Sequence, residues 1–246
     1  MRLSLSTLNK TNSNTEVDGL IKEKFIEYGY VALNTNKQGY NYWIQDIAKL
    51  FNGNVEPDKH TLEGHKDVQV VSDKELFRQG DVPWHTDWSY GHTRFDGTIL
   101  QCVSPGLGTP TVFCNMRDVF RLAVDTFGQE EVDDLFTNNG HYQPPEDLKY
   151  CFSPKQWRYT RRNPRKTPLA FTHTNGENYL YFSPGTLTKT DRPFDVDKYV
   201  DLLDKCSFQH DWQEGDILIW DNLRFMHKRA PFTGERQLLR IQFKYV

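Results

Sequence analysis

The sequence is poor in cysteine, and its four cysteines are scattered without a Cys-x-x-Cys pair: Cys102, Cys114, Cys151 and Cys206. Structural zinc sites and thioredoxin-like redox sites depend on cysteines at such close spacing. Both kinds of site are therefore excluded, and we expect the four thiols to be reduced and mostly buried.

Long apolar runs and an excess of charge of one sign are also missing. No stretch of about 18 apolar residues occurs, and the first residues lack the apolar core of a secretory signal. The sequence has 30 lysines and arginines against 33 aspartates and glutamates, a formal net charge of −3. This balance gives no general attraction to nucleic acid or to an anionic membrane. We expect a cytoplasmic protein whose partner is a small molecule.

Two common enzyme signatures are incomplete or missing. Gly106-x-Gly108 resembles the start of a dinucleotide-binding fingerprint, but the third glycine and a correctly placed helix are lacking. No Gly-x-Ser-x-Gly elbow is present to suggest a serine hydrolase. Nicotinamide chemistry on a Rossmann site and serine hydrolysis are both disfavoured.

A candidate metal site begins in the stretch Trp84-His85-Thr86-Asp87-Trp88. Side chains alternate between the faces of an extended strand, so His85 and Asp87 would point the same way. The pair alone is a weak signal, because a hydrogen-bonded pair on a polar strand has the same pattern. A third ligand, His227, follows Trp220-Asp221-Asn222 far downstream. Two histidines and one carboxylate make the facial triad of non-haem Fe(II) oxygenases, which leaves open coordination positions.

Two arginines follow this last histidine. Arg236 and Arg240 have even spacing, so one strand face would carry both, opposite Ile241 and Phe243. A guanidinium pairs two-pronged with a carboxylate. The arginines therefore suit a dicarboxylate co-substrate that binds near the metal.

At these residues the chain resembles the taurine dioxygenase-like family of Fe(II)/2-oxoglutarate-dependent oxygenases. The resemblance runs from Tyr28-Gly29-Tyr30-Val31-Ala32-Leu33 through the His-Thr-Asp stretch and segment 108–115 to segment 215–222 and the terminal histidine and arginines. Each motif alone is modest, but their order over most of the chain is specific. The order of elements implies a mainly β fold with flanking helices, built on a double-stranded β-helix or jelly-roll core.

The resemblance also implies roles for individual residues. The three candidate ligands would hold Fe(II), which 2-oxoglutarate would chelate through its 1-carboxylate and keto oxygen. Its 5-carboxylate would meet Arg236 and Thr111, with Thr109 as the competing threonine. Arg240 would bind the 1-carboxylate or a substrate anion. With O2 as oxidant, the expected reaction is hydroxylation of an unactivated C–H with release of succinate and CO2, and desaturation and cyclisation remain alternatives.

Four further residues are candidate substrate contacts. Asp81, four residues before the first histidine, could receive a cation, or it could simply serve as a turn residue. Trp88 and Ser89 would either line the pocket or simply pack against neighbouring side chains. Phe182 follows a hairpin that the family also has, and we expect it to face the pocket.

We expect one domain over residues 1–246, with a lid insert at about 137–170 that lacks clear periodicity. Five cations lie in this insert: Arg158, Arg161, Arg162, Arg165 and Lys166. Such runs are commonly solvated faces, but this one could also form a positively charged entrance that attracts an anionic group of the substrate or of a carrier. Together with Asp81, that interpretation suggests an amino-acid-like or zwitterionic substrate.

Apolar periodicity and turn residues predict the remaining elements. Helices are predicted at 15–27, 42–51, 116–136 with a break at Gly128, and 195–205. Strands are predicted at 30–33, 68–71, 98–103, 111–115 and 217–220, with a hairpin at 172–182 and a closing strand that carries the two arginines.

Two functions of other classes compete with the oxygenase. A zinc-dependent hydrolase could use the same triad, but no carboxylate stands out as its general base. A non-catalytic jelly-roll binding protein would have no need for a complete triad together with an arginine pair.

Overall fold

The structure is a computed structural model that describes residues 14–35, 42–51, 62–64, 67–72, 80–91, 95–107 and 110–244. Within these ranges the α-helices are α1 (Asn14–Tyr28), α2 (Ile44–Leu50), α3 (Met116–Phe127), α4 (Gln129–Asp134), α5 (Pro154–Arg162) and α6 (Val196–Lys205), and a 3-10 helix spans Glu146–Cys151. The predicted break at Gly128 separates α3 from α4. None of the helices in this part of the chain is long and apolar enough to cross a membrane.

Strands dominate the described residues, as predicted. They are β1 (Tyr30–Asn34), β2 (Gln69–Ser72), β3 (Val82–His85), β4 (Gly97–Leu107), β5 (Thr111–Asn115), β6 (Asn139–Tyr142), β7 (Arg165–Pro168), β8 (Ala170–Thr172), β9 (Asn178–Leu180), β10 (Leu187–Thr190), β11 (Ser207–His210), β12 (Asp216–Asp221), β13 (Phe225–Arg229) and β14 (Thr233–Phe243). A five-stranded sheet has the order β1-β12-β4-β14-β2, and a four-stranded sheet has the order β11-β5-β13-β3. These two antiparallel sheets form the jelly-roll core.

The apolar faces of the two sheets pack against each other. Phe113 of the four-stranded sheet shares a buried cluster with Leu100, Leu218, Trp220 and Leu238 of the five-stranded sheet. The outer face of the larger sheet is covered by α1 and α2, which pack against alternate residues of β12. Strand β12 is therefore buried throughout, which explains why its sequence reads as a continuous apolar run rather than an alternation.

Strand pairing brings distant parts of the sequence to one point. In the four-stranded sheet, β13 lies between β3 and β5, with His227 opposite His85 and Arg229 opposite Thr111. Strand β14 belongs to the facing sheet and carries the two arginines of the closing segment. The space between the sheets therefore receives residues from both ends of the sequence.

The segment expected to be an aperiodic lid contains regular structure. Strands β6 and β7 pair with each other, and β6 also pairs with β10, which together make a third sheet. Helix α5 begins at a capping box in which Ser153 and Gln156 exchange hydrogen bonds. That Ser-Pro-x-Gln signal can be read in the sequence, whereas the strand pairing with β10 depends on long-range contacts.

Gly97 at the start of β4 provides a test of how tightly this strand packs against Phe243 at the end of β14. A Cβ atom at Gly97 would overlap with Cζ of the fully buried Phe243. We expect Gly97→Ala to lower the free energy of unfolding by ~1–3 kcal/mol, because a rigid ring in the core must shift. Chemical denaturation measures this change.

Gly19→Ala is the matched control for that substitution. An added Cβ atom at the exposed Gly19 of α1 meets nothing within 4 Å. It should raise the free energy of unfolding by up to ~1 kcal/mol, because alanine has the higher helix propensity. Equal stabilities for the Gly97→Ala variant and the parent would contradict the described packing.

Candidate metal centre

Three side chains converge where the end of β3 pairs with the middle of β13. The Nε2 atoms of His85 and His227 each lie 3.7 Å from Oδ1 of Asp87, and the two imidazole rings are 4.1 Å apart between centroids. One ligand atom from each residue falls within 4.8 Å of the other two. These separations are too long for hydrogen bonds, so three donor atoms face a common point without satisfying each other. Such a donor set fits a divalent metal ion.

Asp87 reaches this point from a turn and not from a strand. Strand β3 ends at His85, and the turn that follows carries the carboxylate, so the expected alternation along one strand is wrong. The side-chain amide of Asn222 holds the turn: its Oδ1 accepts from the Asp87 N–H at 2.9 Å, and its Nδ2 donates to the Asp87 carbonyl at 2.9 Å. Thr98 Oγ1 donates to Asp87 Oδ2 at 3.0 Å. One carboxylate oxygen is therefore occupied and the other faces the imidazoles.

The protonation states of the three residues also suit a metal. Burial lowers the pKa of His85, and it lowers the pKa of His227 to about 3, helped by the neighbouring His85. For Asp87, burial would raise the pKa, but the charge of Arg240, the charges that the two imidazoles carry once protonated and the bond from Thr98 lower it to about 2. Near neutral pH the site offers two neutral imidazoles and one carboxylate, which are the forms that bind metal. The Nδ1 atom of His85 lies 2.8 Å from the Pro83 carbonyl, which leaves Nε2 as its ligand atom.

A cavity opens beside the three residues, and both predicted arginines line it. Arg236 Nη2 donates to Thr111 Oγ1 at 3.3 Å, and Trp212 Nε1 donates to the same hydroxyl at 2.8 Å. Arg240 lies nearer the triad, with Nη1 3.5 Å from Asp87 Oδ1 and Nε bonded to Gln69 Oε1 at 2.6 Å. The competing Thr109 lies outside the described residues. The two arginines thus occupy different depths of one cavity.

A third arginine, which the sequence reasoning missed, lines the same cavity. Arg229 is buried on β13, two residues after His227, and donates from Nη2 to the Gly80 carbonyl at 2.7 Å. Strand alternation from His227 could have predicted it. Burial lowers the pKa of Arg229 to about 10, and burial together with the charge of Arg229 lowers that of Arg236 to about 10. Three arginines face one lining carboxylate, so the cavity is strongly positive.

Arg240 lines the cavity, but the other residues predicted to contact substrate, Asp81, Trp88, Ser89 and Phe182, do not. Asp81 is exposed, and its charge acts on Arg229. Ser89 is buried, with its hydroxyl 2.7 Å from that of Thr186. Phe182 is fully buried against the rings of Phe194 and Tyr199, because the strand before it faces the core under α6.

The indole of Trp88 lies in an aromatic cluster beside the metal centre and not in the cavity. It contacts the rings of Tyr90, Phe95 and Phe152 at centroid distances of 5.6, 5.9 and 6.4 Å. Its position follows from the conformation of the turn after Asp87.

The run of cations in the insert is largely engaged with the protein. Arg161 Nη1 donates to the Pro144 carbonyl, Arg165 Nη1 donates to the Gly91 carbonyl, and Lys166 pairs with Asp191 at 2.9 Å. Arg158 and Arg162 are exposed on α5. Most of the run therefore serves the fold of the insert.

Comparison with known proteins agrees with this geometry. The profile of the taurine catabolism dioxygenase TauD, TfdA family matches residues 43–242. The alpha-ketoglutarate-dependent 2,4-dichlorophenoxyacetate dioxygenase of Burkholderia sp. (strain RASC) is 23% identical over 229 residues, which cover 87% of this chain and 72% of that protein. The 3-((Z)-2-isocyanoethenyl)-1H-indole synthase of Fischerella ambigua (strain UTEX 1903) is 25% identical over 172 residues, 66% of this chain and 62% of that protein.

Solved structures also share the fold of this chain. The crystal structure of a taurine dioxygenase from Burkholderia xenovorans superposes with a TM-score of 0.66 at 20% identity, covering 96% of this chain and 84% of the other. The family match spans most of the chain and includes the triad and both predicted arginines. The chain therefore belongs to the TauD, TfdA family and is an Fe(II)/2-oxoglutarate-dependent dioxygenase.

Proposed function

We propose that the protein hydroxylates an unactivated C–H of a small, amino-acid-like or zwitterionic molecule and releases succinate and CO2. The observation that carries this proposal is the positive cavity beside the triad, where Arg229, Arg236 and Arg240 face Asp87 as the one carboxylate in the lining. Such a cavity favours a dianionic co-substrate and an anionic substrate group.

In this proposal Arg236 and Thr111 bind the 5-carboxylate of 2-oxoglutarate. Arg236 is 3% exposed, and its Nε finds no hydrogen-bond partner among the described residues. An unsatisfied buried donor is costly, and a carboxylate would satisfy it with a charge-assisted bond. The second donor to this carboxylate is the Thr111 hydroxyl, which is oriented in advance because it accepts a hydrogen bond from Trp212.

His85, Asp87 and His227 would hold Fe(II) in this proposal, and the metal with 2-oxoglutarate would activate O2, which is the oxidant: one of its oxygen atoms enters the C–H bond and the other enters succinate. The positive charges of three arginines and a divalent ion exceed the negative charges of Asp87 and the two carboxylates of 2-oxoglutarate, so the cavity would keep a net positive charge. Arg240 would bind a substrate carboxylate or the 1-carboxylate of the co-substrate, and the 3.5 Å between its Nη1 and Asp87 Oδ1 supports this role. The excess charge favours a substrate with a carboxylate of its own.

The cationic end of a zwitterion requires an anionic partner. Asp81 is the residue we assign to it, because its carboxylate precedes β3 near the positive cavity. We assign residues 137–170 the role of a lid within a single domain, with Arg158 and Arg162 as the cations that could meet an anionic carrier or a distal substrate group.

Anaerobic titration with Fe(II) and then 2-oxoglutarate tests the cofactor sites. The parent should develop the weak visible charge-transfer band of the chelate. Arg236→Ala should need at least about 10-fold more 2-oxoglutarate for half of the band, because it loses a charge-assisted pair in a buried site. Arg158→Ala, which removes an exposed cation of α5, is the control and should match the parent. Absence of the band together with tight zinc binding would favour the hydrolase or binding-protein alternatives.

A screen for succinate release tests the substrate class. Amino acids and related carboxylic acids should stimulate release, whereas their esters and amides should stimulate it less, because they lack the charge that the arginines attract. With a positive compound, Asp81→Asn should raise KM for the zwitterion and not for its analogue without the amino group. An unchanged KM for both compounds would remove the ammonium half of the proposal.

Product mass separates hydroxylation from its alternatives. The relative from Fischerella ambigua is a synthase of an isocyanoethenyl indole, which is why desaturation is the second candidate. Hydroxylation adds one oxygen atom to the substrate, and desaturation removes two hydrogen atoms. Mass spectrometry of the product decides between them.

A further inference from the structure

The backbone is unusual directly after the metal ligand Asp87. Trp88 has a φ of 56°, and no other non-glycine residue in the described ranges has a positive φ. A bulky side chain in the left-handed region is energetically unfavourable, so its surroundings must hold it there. Backbone strain of this kind concentrates at functional sites.

Contacts from β14, from the segment before β4 and from the insert hold the Trp88 side chain. Its Nε1 donates to Gln242 Oε1 of β14 at 2.9 Å. Its ring meets Phe95, which precedes β4, and Phe152, which belongs to the insert. Phe152 in turn packs against Trp157 of α5 at 5.6 Å between centroids. The indole is therefore fixed by the core sheet on one side and by the insert on the other.

The rest of the turn is also tied to the insert and its neighbours. Ser89 Oγ lies 2.7 Å from Thr186 Oγ1, and Arg165 Nη1 donates to the Gly91 carbonyl at 3.3 Å. On the opposite side, Asn222 binds the N–H and the carbonyl of Asp87. Asp87 is thus held in two ways. Asn222 binds its peptide groups, and the next residue, Trp88, has a left-handed backbone and a side chain fixed by its neighbours.

We propose that Trp88 is a positioning residue for the metal ligand Asp87. The anchored indole keeps the chain left-handed after Asp87, and this conformation directs Oδ1 of the carboxylate to the two imidazoles. This role replaces substrate contact as the function of Trp88 and rests on the metal site used in the proposed function.

Metal affinity of the apoprotein tests the proposal without turnover. Mn(II) serves as the probe, with free Mn(II) followed by electron paramagnetic resonance. Trp88→Gly allows the left-handed backbone but removes every contact of the indole, and it should weaken Mn(II) binding by about 10-fold or more, as loss of an outer-shell partner does. Trp88→Phe keeps ring contacts and loses the bond to Gln242, so its affinity should fall between those of the parent and Trp88→Gly.

Trp157→Leu is the matched control, because it removes an indole of the same cluster that does not adjoin Asp87. It should lower the Tm of the apoprotein and leave Mn(II) affinity unchanged. Parent-like affinity in both Trp88 variants, or an equal loss of affinity in Trp157→Leu, would overturn the proposal. The Mn(II) measurement contains no 2-oxoglutarate. If the parent binds Mn(II) but shows no charge-transfer band in the Fe(II) and 2-oxoglutarate titration, that result would count against the proposed function alone. Failure of the parent itself to bind Mn(II) would overturn both.

Discussion

The geometry of the candidate metal centre depends on one pair of hydrogen bonds, those between the side-chain amide of Asn222 and the peptide groups of Asp87. The amide is buried, and it also donates to the Phe95 carbonyl at 3.2 Å. It therefore joins the turn after β3, the approach to β4 and the turn between β12 and β13. Pairing of β3 with β13 places the two histidines side by side, and this amide clamp holds the turn that brings the carboxylate to them.

The sequence predicted the parts of the site that follow from regular structure. His227 lies opposite His85 in neighbouring strands, and Arg236 and Arg240 line one cavity, as even spacing on a strand requires. The core strands were predictable for the same reason, since apolar runs and turn residues mark them. Arg229 followed from the same rule and was overlooked.

The parts that depend on irregular backbone could not be predicted in this way. Asp87, Trp88 and Ser89 lie in a turn, where alternation says nothing about direction, and Trp88 adopts a conformation that tryptophan rarely takes. Phe182 follows β9, and only the packing of α6 decides that it joins the core. The strands of the insert have no clear period because each is four residues long and pairs at a distance along the chain.

The arginines show how the site balances stability against binding. Arg229 and Arg236 are buried near each other and both lie over the ring of Phe232, at 4.7 and 5.5 Å. Their lowered pKa values mean that each guanidinium is less stable as a cation here than in water, so both weaken the ligand-free fold. A bound dicarboxylate removes that penalty, because it supplies the counter-charge that the lining lacks. The same excess of buried positive charge that weakens the ligand-free fold therefore increases affinity for an anionic co-substrate.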